Sequence, residues 1–193
     1  MYKVTIKGTK ELSNTLKKLG DTFGSREMME FLGDKCERTL YKTTHENLTT
    51  VNDLEVSDYA KNHQKEVKGK KIILSNGTMA DLSGLSSETL ANYPNGFSIA
   101  KAVEYGTGVV GATSEASGMA AQDGWEYDVN QHGNQGWYYK KNGNLYWTKG
   151  FEGRLIFYKT AKEISKNGRS WIFEYIGKKA SDINGKGRYI IKK

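Results

Sequence analysis

The sequence predicts an α+β fold, in which a small antiparallel sheet with an aromatic β-hairpin packs against two or three helices joined by long flexible loops. Three observations indicate it: an alternating segment at the start, amphipathic stretches with helical spacing, and an Asn-Gly hairpin rich in Trp and Tyr. The length of 193 residues suits one domain over 1–193. We expect mobile loops at 75–97 and 108–135, because these stretches lack apolar periodicity.

The first predicted elements are a strand and a short helix. Apolar and polar residues alternate in "YKVTIKG" (2–8), as in a strand with one buried face. Thr9 is a candidate N-cap for a helix over 9–19, in which leucines recur at helical spacing. Gly20 is placed to be its left-handed C-cap.

A longer helix is predicted over 25–48, with Ser25 as its N-cap. Its apolar stripe consists of Met28, Met29, Leu32, Cys36, Leu40, Thr43 and Leu48. Cys36 is the single cysteine of the sequence, which excludes a disulfide framework and a Cys-rich metal site. We expect it to be a small buried apolar side chain.

Two strands are predicted around Gly69 over 66–75, with the apolar run 72–74 as the clearest strand signal. We expect these strands to share one antiparallel sheet with the first strand and with the hairpin. The segment 98–108 is interpreted as a short apolar turn that ends in glycines. The segment 109–124 is rich in small residues and has no period, so we interpret it as a flexible loop.

The segment 136–150, "GWYYKKNGNLYWTKG", predicts a β-hairpin. Asn142-Gly143 suits a type I′ turn, which requires positive φ at both central positions. The alternation of the two strands gives aromatic residues to both faces: Trp137 and Tyr139 opposite Tyr138, and Tyr146 opposite Trp147. A ribbon with two apolar faces is either enclosed by its own fold or covered by a partner chain.

Two helices are predicted towards the end of the sequence. The first covers 154–165 and is closed by Asn167-Gly168. The second follows because apolar residues recur at helical spacing over 172–183. The basic tail 185–193 is expected either to add an edge strand or to dock on a neighbouring molecule.

The motifs argue against an enzyme. His45, His63 and His132 have no ligand-type neighbour at helical spacing, so we expect exposed surface histidines rather than a metal or catalytic set. "GTGVVG" (106–111) lacks dinucleotide-binding spacing, and the sequence contains no nucleophile elbow and no phosphate-binding loop. We therefore expect no enzymatic activity, no cofactor and no bound metal.

Charge and hydropathy bear on partners and location. The net charge of +7 favours acidic partners such as nucleic acid, although many soluble proteins share such a charge. No stretch has the length of a signal-peptide core or of a membrane span. We therefore expect a protein that is made and kept in a cytoplasm and does not contact a membrane.

The hairpin permits two functional interpretations. Aromatic rings interleaved with lysines can stack on bases or sugars, and each stacked base contributes ~1–3 kcal/mol. "GWYYKKNGN" is also similar to the choline-binding repeats of cell-wall-anchored proteins, but those repeats of ~20 residues act in arrays and this chain holds one good copy. The alternative function is thus a ligand-binding module for cell-wall polymer or single-stranded nucleic acid. Because both faces carry aromatics, we favour a subunit contact.

Taken in order, the motifs resemble the tail-completion family of head-tail joining (neck) proteins of long-tailed double-stranded-DNA bacteriophages and prophages. Members begin with a strand and an amphipathic helix, as in 4–19 here, and carry an Ala-x-x-Val-Glu-aromatic-Gly-Thr motif that 100–107 resembles. A Trp/Tyr hairpin then precedes Thr-x-Gly, as in 148–150, and a helix with Phe157 and Ala161 follows. The family's Pro-Val-Asp-Thr-Gly is replaced here by "TTVNDLEVSD".

The resemblance implies a structural virion protein that completes the tail or joins it to the head connector. It implies a ring subunit, commonly in hexamers, around a channel through which DNA passes without sequence specificity. The implied partners are further copies of the chain, the head connector or stopper protein, and the tail tube protein. The implied location is the neck of the virion or the top of the tail, with the host cytoplasm during assembly.

The expected contact residues are Glu104, Tyr105, Gly106, Thr107, Trp137, Tyr139, Tyr146 and Trp147. For two of them a local role stays open. Glu104 can cap a helix or pair with a neighbour, and Gly106 can serve only a turn.

Overall fold

In the computed structural model, the residues described are 17–18, 20–48, 56–80, 83, 87, 96–127, 136–141 and 144–185. They form helices and small antiparallel sheets that pack against helices, which confirms the predicted α+β class. Several predicted features lie outside the described residues: the strand at 2–8, most of the helix over 9–19, most of 75–97, the Asn142-Gly143 turn and the tail 186–193.

The described helices differ greatly in length. They are α1 (Arg26–Leu48), α2 (Val56–Lys61), α3 (Ile99–Tyr105), α4 (Gly108–Ala112), α5 (Ser117–Gln122) and α6 (Ile156–Gly185). The described strands are β1 (His63–Lys68), β2 (Lys71–Asn76), β3 (Gly106–Thr107), β4 (Trp137–Lys141), β5 (Asn144–Thr148) and β6 (Gly150–Glu152). The strand pair around Gly69 is confirmed, with Gly69 at a φ of 57° in the turn.

The chain divides into two compact units. The first comprises Met1–Arg38, Lys65–Leu74 and Glu163–Lys193, and the second comprises Thr39–Gln64 and Ser75–Lys162. The assignment of 1–193 to a single domain stays a prediction. The hairpin, the motif over 100–107 and the first turn of α6 belong to the second unit.

Helix α1 confirms the sequence reading at its start and along its apolar stripe. The backbone N–H of Met28 donates to the Oγ of Ser25 at 3.2 Å, so Ser25 is the N-cap. Met28, Met29 and Cys36 are buried, and Cys36 is a free thiol. The prediction of Gly20 as the C-cap of the preceding helix is wrong, because residues 20–22 are helical and the positive φ of 70° belongs to Gly24.

Charged and aromatic side chains hold the first unit together. The Phe31 and Tyr175 rings lie 5.2 Å apart between centroids, which joins α1 to α6. Nearby, Lys35 donates to Glu174 at 2.9 Å and Lys178 donates to the other oxygen of the same carboxylate at 2.8 Å. These two hydrogen bonds lower the pKa of Glu174 to about 2, and the one from Lys178 has the larger effect.

The prediction of one shared sheet is wrong. The described strands form three separate two-stranded sheets, β1–β2, β3–β6 and β4–β5. Apolar patterning identifies strands and their faces, whereas edge pairing depends on contacts that are distant in sequence. Here β3 pairs with β6, where Thr107 lies opposite Phe151, 44 residues later in the sequence, and the hairpin pairs with itself.

The two helices predicted over 154–165 and 172–183 are one helix, α6, of 30 residues. Asn167-Gly168 lies inside it and does not end it. The Asn167 amide donates to the carbonyl oxygen of Glu163 at 2.9 Å, one helical turn back, so its side chain supports the helix. Gly168 costs a helix interior only about 1 kcal/mol relative to Ala, which tertiary packing outweighs.

The loop predicted over 108–135 is wrong in its first half, where α4 and α5 form. These helices are built from small residues because they pack closely. A Cβ on Gly111 would lie 2.8 Å from the backbone of Gly106, and Ala116 and Ala120 are fully buried.

The turn predicted over 98–108 is helix α3, whose N-cap Ser98 accepts the Lys101 N–H at 3.2 Å. Close packing by Gly and Ala leaves no stripe of large apolar residues in the sequence.

Candidate functional site

The hairpin β4–β5 forms in the predicted register. Lys141 pairs with Asn144, which leaves two residues for the turn, and Tyr138 pairs with Trp147. Tyr139 pairs with Tyr146 in the same way. Since paired residues share a face and neighbours alternate, Trp147 and Tyr146 lie on opposite faces of the ribbon.

Both faces of the hairpin carry exposed aromatic side chains. Tyr138 is 69% exposed and Trp147 is 50% exposed, and on the opposite face Tyr146 is 43% exposed. Leu145 is also exposed, and the Lys149 Nζ lies 5.5 Å from the centre of the Trp147 ring. The predicted two-faced aromatic ribbon is therefore confirmed for these residues, and the side chains of Trp137 and Tyr139 lie outside the description.

The base of the hairpin is anchored on the end of the motif over 100–107, which lies about 30 residues earlier in the sequence. Gly150, which follows β5, has a φ of 95°, and a Cβ there would collide with the carbonyl group of Thr107. The N–H of Val110 donates to the Lys149 carbonyl oxygen at 3.3 Å, and Gly108 bridges to Gly150. The structure thus joins the segment that follows the hairpin to Thr107, the last residue of the predicted motif.

Glu104 is the buried centre of that motif. Its side chain is 7% exposed, and its two carboxylate oxygens accept the N–H groups of Phe157 and Tyr158 at 2.9 and 3.0 Å. These are N–H groups of the first turn of α6, where a negative charge also interacts favourably with the helix dipole. Burial raises the pKa of Glu104, and the hydrogen bonds from the helix oppose that shift.

Tyr105 holds the segment after α5. Its side chain is buried and its hydroxyl donates to the carboxylate of Asp123. Burial, and then the Asp123 carboxylate, raise the pKa of Tyr105. In return, Trp125 donates from its indole to the Gly106 carbonyl oxygen at 3.1 Å, and Tyr127 donates to that of Tyr105 at 3.0 Å. The motif is therefore sandwiched between β6 and the segment 123–127.

Gly106 and Thr107 form strand β3. Gly106 has a φ of 86°, and any Cβ on it would collide with the carbonyl oxygen of Phe151 on the paired strand. Thr107 is half-buried and pairs with Phe151. Only glycine satisfies both the backbone angle and the close approach at 106.

The predicted contact residues thus separate into two groups. Glu104 and Tyr105 are turned inside the second unit and make internal hydrogen bonds, so a direct contact with a partner does not fit them. For Glu104 the local role that the sequence left open, helix capping, is the one observed. Tyr146 and Trp147 are exposed and remain the predicted contact residues.

The histidines are not the exposed residues that the sequence predicts. His45 and His63 are half-buried, and His132 lies outside the described residues. The His63 ring packs edge-on against Tyr59 at 5.6 Å, and its Nε2 lies 3.3 Å from the Thr44 hydroxyl. Among the described residues, no group of three His, Cys, Asp or Glu side chains is arranged to hold a metal ion.

A polar cleft of about 530 Å³ opens beside the capped end of α6. Its walls are the end of α1 at Glu46 and Asn47, the turn 113–116, the segment 152–155 and Lys159. Sequence reasoning did not find this cleft, since its residues come from four separated segments and none forms a recognisable motif. The signal available in the sequence was the arginine of "EGRLIF", two residues before a helix whose first turn contains no acidic residue.

Within the part of the chain that the structure describes, no helix combines the length and the apolar character that crossing a membrane requires. The chain matches no protein-family model, no curated protein and no solved structure at a significant level.

Proposed function

We propose that this chain is a structural virion protein that completes the tail of a long-tailed bacteriophage or joins it to the head connector. In that role it acts as a ring subunit, in a hexamer, around the channel through which DNA passes. The proposal rests on the family resemblance together with one structural observation: an aromatic ribbon that is exposed on both faces and fixed at its base.

The exposure of the ribbon is the observation that carries the proposal. An isolated two-stranded hairpin is marginally stable, and apolar groups on both of its faces favour a covering partner. Trp and Tyr are also the side chains that dominate the energy of protein interfaces. A ring contact is heterologous, so that each copy offers the ribbon on one side and a different surface on the other.

The fixed base of the ribbon supports the same role. Gly150 packs against Thr107, and Glu104 ties the neighbouring segment to α6. A ribbon held in this way is presented in one orientation, which reduces the entropy lost when it binds a partner. The residues that resemble the family motif would then serve the contact indirectly, by placing Tyr138 and Trp147.

The second candidate is a ligand-binding module for cell-wall polymer or single-stranded nucleic acid. The observation that favours it is the Lys149 ammonium beside the exposed Trp147 ring, a pairing suited to a stacked base and its phosphate. It requires that the free monomer bind such a ligand, with loss of binding in Trp147→Ala. The proposed structural role requires no small ligand.

The proposed function is tested by electron microscopy of particles assembled without this protein in the phage or prophage that encodes it. We expect heads filled with DNA beside unjoined or overlong tails, and restoration of joined particles when the wild-type chain is supplied. Normal virions in its absence would contradict the proposal. Supplying Trp147→Ser instead of the wild type should restore few joined particles.

A further inference from the structure

We infer that the polar cleft beside α6 is a binding site for a carboxylate that lies next to a positive charge, with Arg154 as the group that receives the carboxylate. This inference concerns a different surface from the hairpin and does not depend on the proposed assembly role. It rests on the state of the Arg154 side chain, on the backbone that fixes it and on the charges around the cleft.

The Arg154 guanidinium is the central observation. Its Nε is buried, and no hydrogen-bond partner for this atom is found among the described residues. Buried polar groups are normally paired, so an orphaned donor on a residue that lines a cleft indicates a partner from outside the chain. The Nε and one Nη of a guanidinium present two parallel N–H groups, which match the two oxygens of a carboxylate.

The backbone on both sides of this side chain is fixed. The N–H of Arg154 donates to the Val103 carbonyl oxygen at 2.7 Å, and the N–H of Leu155 donates to that of Glu104 at 3.1 Å. Leu155 has a φ of 52°, a strained conformation for a residue with a side chain. Such strain persists only where the surrounding structure imposes it, and it is concentrated at functional sites.

The remaining charges of the cleft select among anions. Glu46, Glu115 and Glu152 are exposed at its rim, and Lys159 in its wall donates to the Asn47 side chain at 2.6 Å. Three carboxylates and two cations leave the cleft with one net negative charge. Phosphates and polyanions are repelled by this rim, whereas a positive group beside the bound carboxylate is attracted to it.

The ligand chemistry is therefore zwitterionic. It has two sources: a free amino acid or short peptide, and an acidic side chain flanked by lysines in a polypeptide. The cleft volume of about 530 Å³ lies within the range of small-molecule sites and admits either. A titration with one probe for each source separates the two.

The test is an NMR titration of the full-length protein in which the Arg154 Nε–H and the amides of 113–116 and 152–155 are followed. The probes are glycylglycine, a blocked peptide with one glutamate between lysines, acetate and inorganic phosphate. We expect saturable shifts at these groups with glycylglycine or with the peptide, weaker shifts with acetate and none with phosphate. Whichever of glycylglycine and the blocked peptide binds more tightly identifies the source of the ligand.

Arg154→Gln should abolish these shifts, and Arg154→Lys, which keeps the charge but loses the paired N–H groups, should weaken binding about tenfold. Arg169→Gln is the matched control, because Arg169 is exposed on α6 outside the cleft. Melting temperatures confirm that each variant is folded. If Arg154→Gln does not fold, the binding measured with Arg154→Lys tests the inference. No saturable shift with any probe, tighter binding of phosphate than of the carboxylates, or undiminished binding in the Arg154 variants would overturn the inference.

Discussion

The Oε2 of Glu104 lies 2.9 Å from the backbone nitrogen of Phe157, and this hydrogen bond joins the end of α3 to the first turn of α6 across 53 residues of sequence. A second bond reaches Tyr158 from the other oxygen of the same carboxylate. One buried side chain therefore caps the longest described helix and fixes the segment on which the hairpin is built.

Removing this cap should destabilise the protein. Glu104→Ala deprives two N–H groups of their acceptor and leaves a cavity, so we expect a loss of about 2 kcal/mol in the free energy of unfolding. Glu104→Gln keeps one acceptor oxygen without a charge to desolvate, and it should cost about half as much. Urea denaturation of the three proteins measures both values. Equal stability of Glu104→Ala and the wild type would refute the capping role.

The raised pKa of Glu104 gives a defined dependence of stability on pH. At pH values above 4.5, the usual pKa of a glutamate, the folded protein holds the Glu104 proton more tightly than the unfolded chain does. The contribution of this group is thus fully present below 4.5 and declines as the pH rises through the folded pKa. The unfolding free energy of the wild type should fall relative to that of Glu104→Gln over this interval. A constant difference between the two would show that the pKa is not raised.

Glu174 should show the opposite dependence. Because Lys178 and Lys35 lower its pKa to about 2, its contribution is present above the usual 4.5 and is lost as the pH falls through about 2. Both partners are accessible to solvent, so salt should screen the effect. Melting temperatures of the wild type and Glu174→Gln, measured at neutral pH in low and high salt, are expected to converge as salt rises. A difference that salt leaves unchanged would contradict this assignment.

Gly106 should tolerate no side chain. Gly106→Ala combines an unfavourable φ of 86° with a collision against Phe151, and we expect a loss of roughly 3 kcal/mol or more. Gly118→Ala is the matched control, since nothing lies within 4 Å of its Cβ position and it is helical. That change should be neutral or stabilising by up to about 1 kcal/mol. Similar effects of both substitutions on the unfolding free energy would count against the close packing at Gly106.

Local signals in the sequence were sufficient for the elements that local chemistry determines. The Ser25 cap, the strand pair around Gly69 and the hairpin register follow from capping, turn and alternation rules that act over a few residues. The exposed aromatics on both faces of the hairpin follow from the same alternation.

Features that depend on distant contacts were not predictable. Asn167-Gly168 is a strong helix stop, yet α6 passes through it because packing on both sides outweighs the local preference. Glu104 was predicted as a contact residue with a local capping role left open, because no local pattern shows that its carboxylate meets a helix 53 residues later. The arginine of "EGRLIF" did not point to a site by itself, since the unpaired state of its Nε and the residues around the cleft are apparent only in the folded chain.

The central claim is that the ribbon is a contact between copies of this chain. Sedimentation velocity over a range of protein concentrations tests it most directly, on the wild type, on the double variant Tyr138→Ser with Trp147→Ser, and on Phe173→Ser. Phe173 is the control because it is an aromatic of similar exposure, 59%, on α6. We predict that the wild type and Phe173→Ser associate into larger species as concentration rises, while the double variant stays monomeric. A wild type that remains monomeric throughout, or a double variant that associates as the wild type does, would contradict the account.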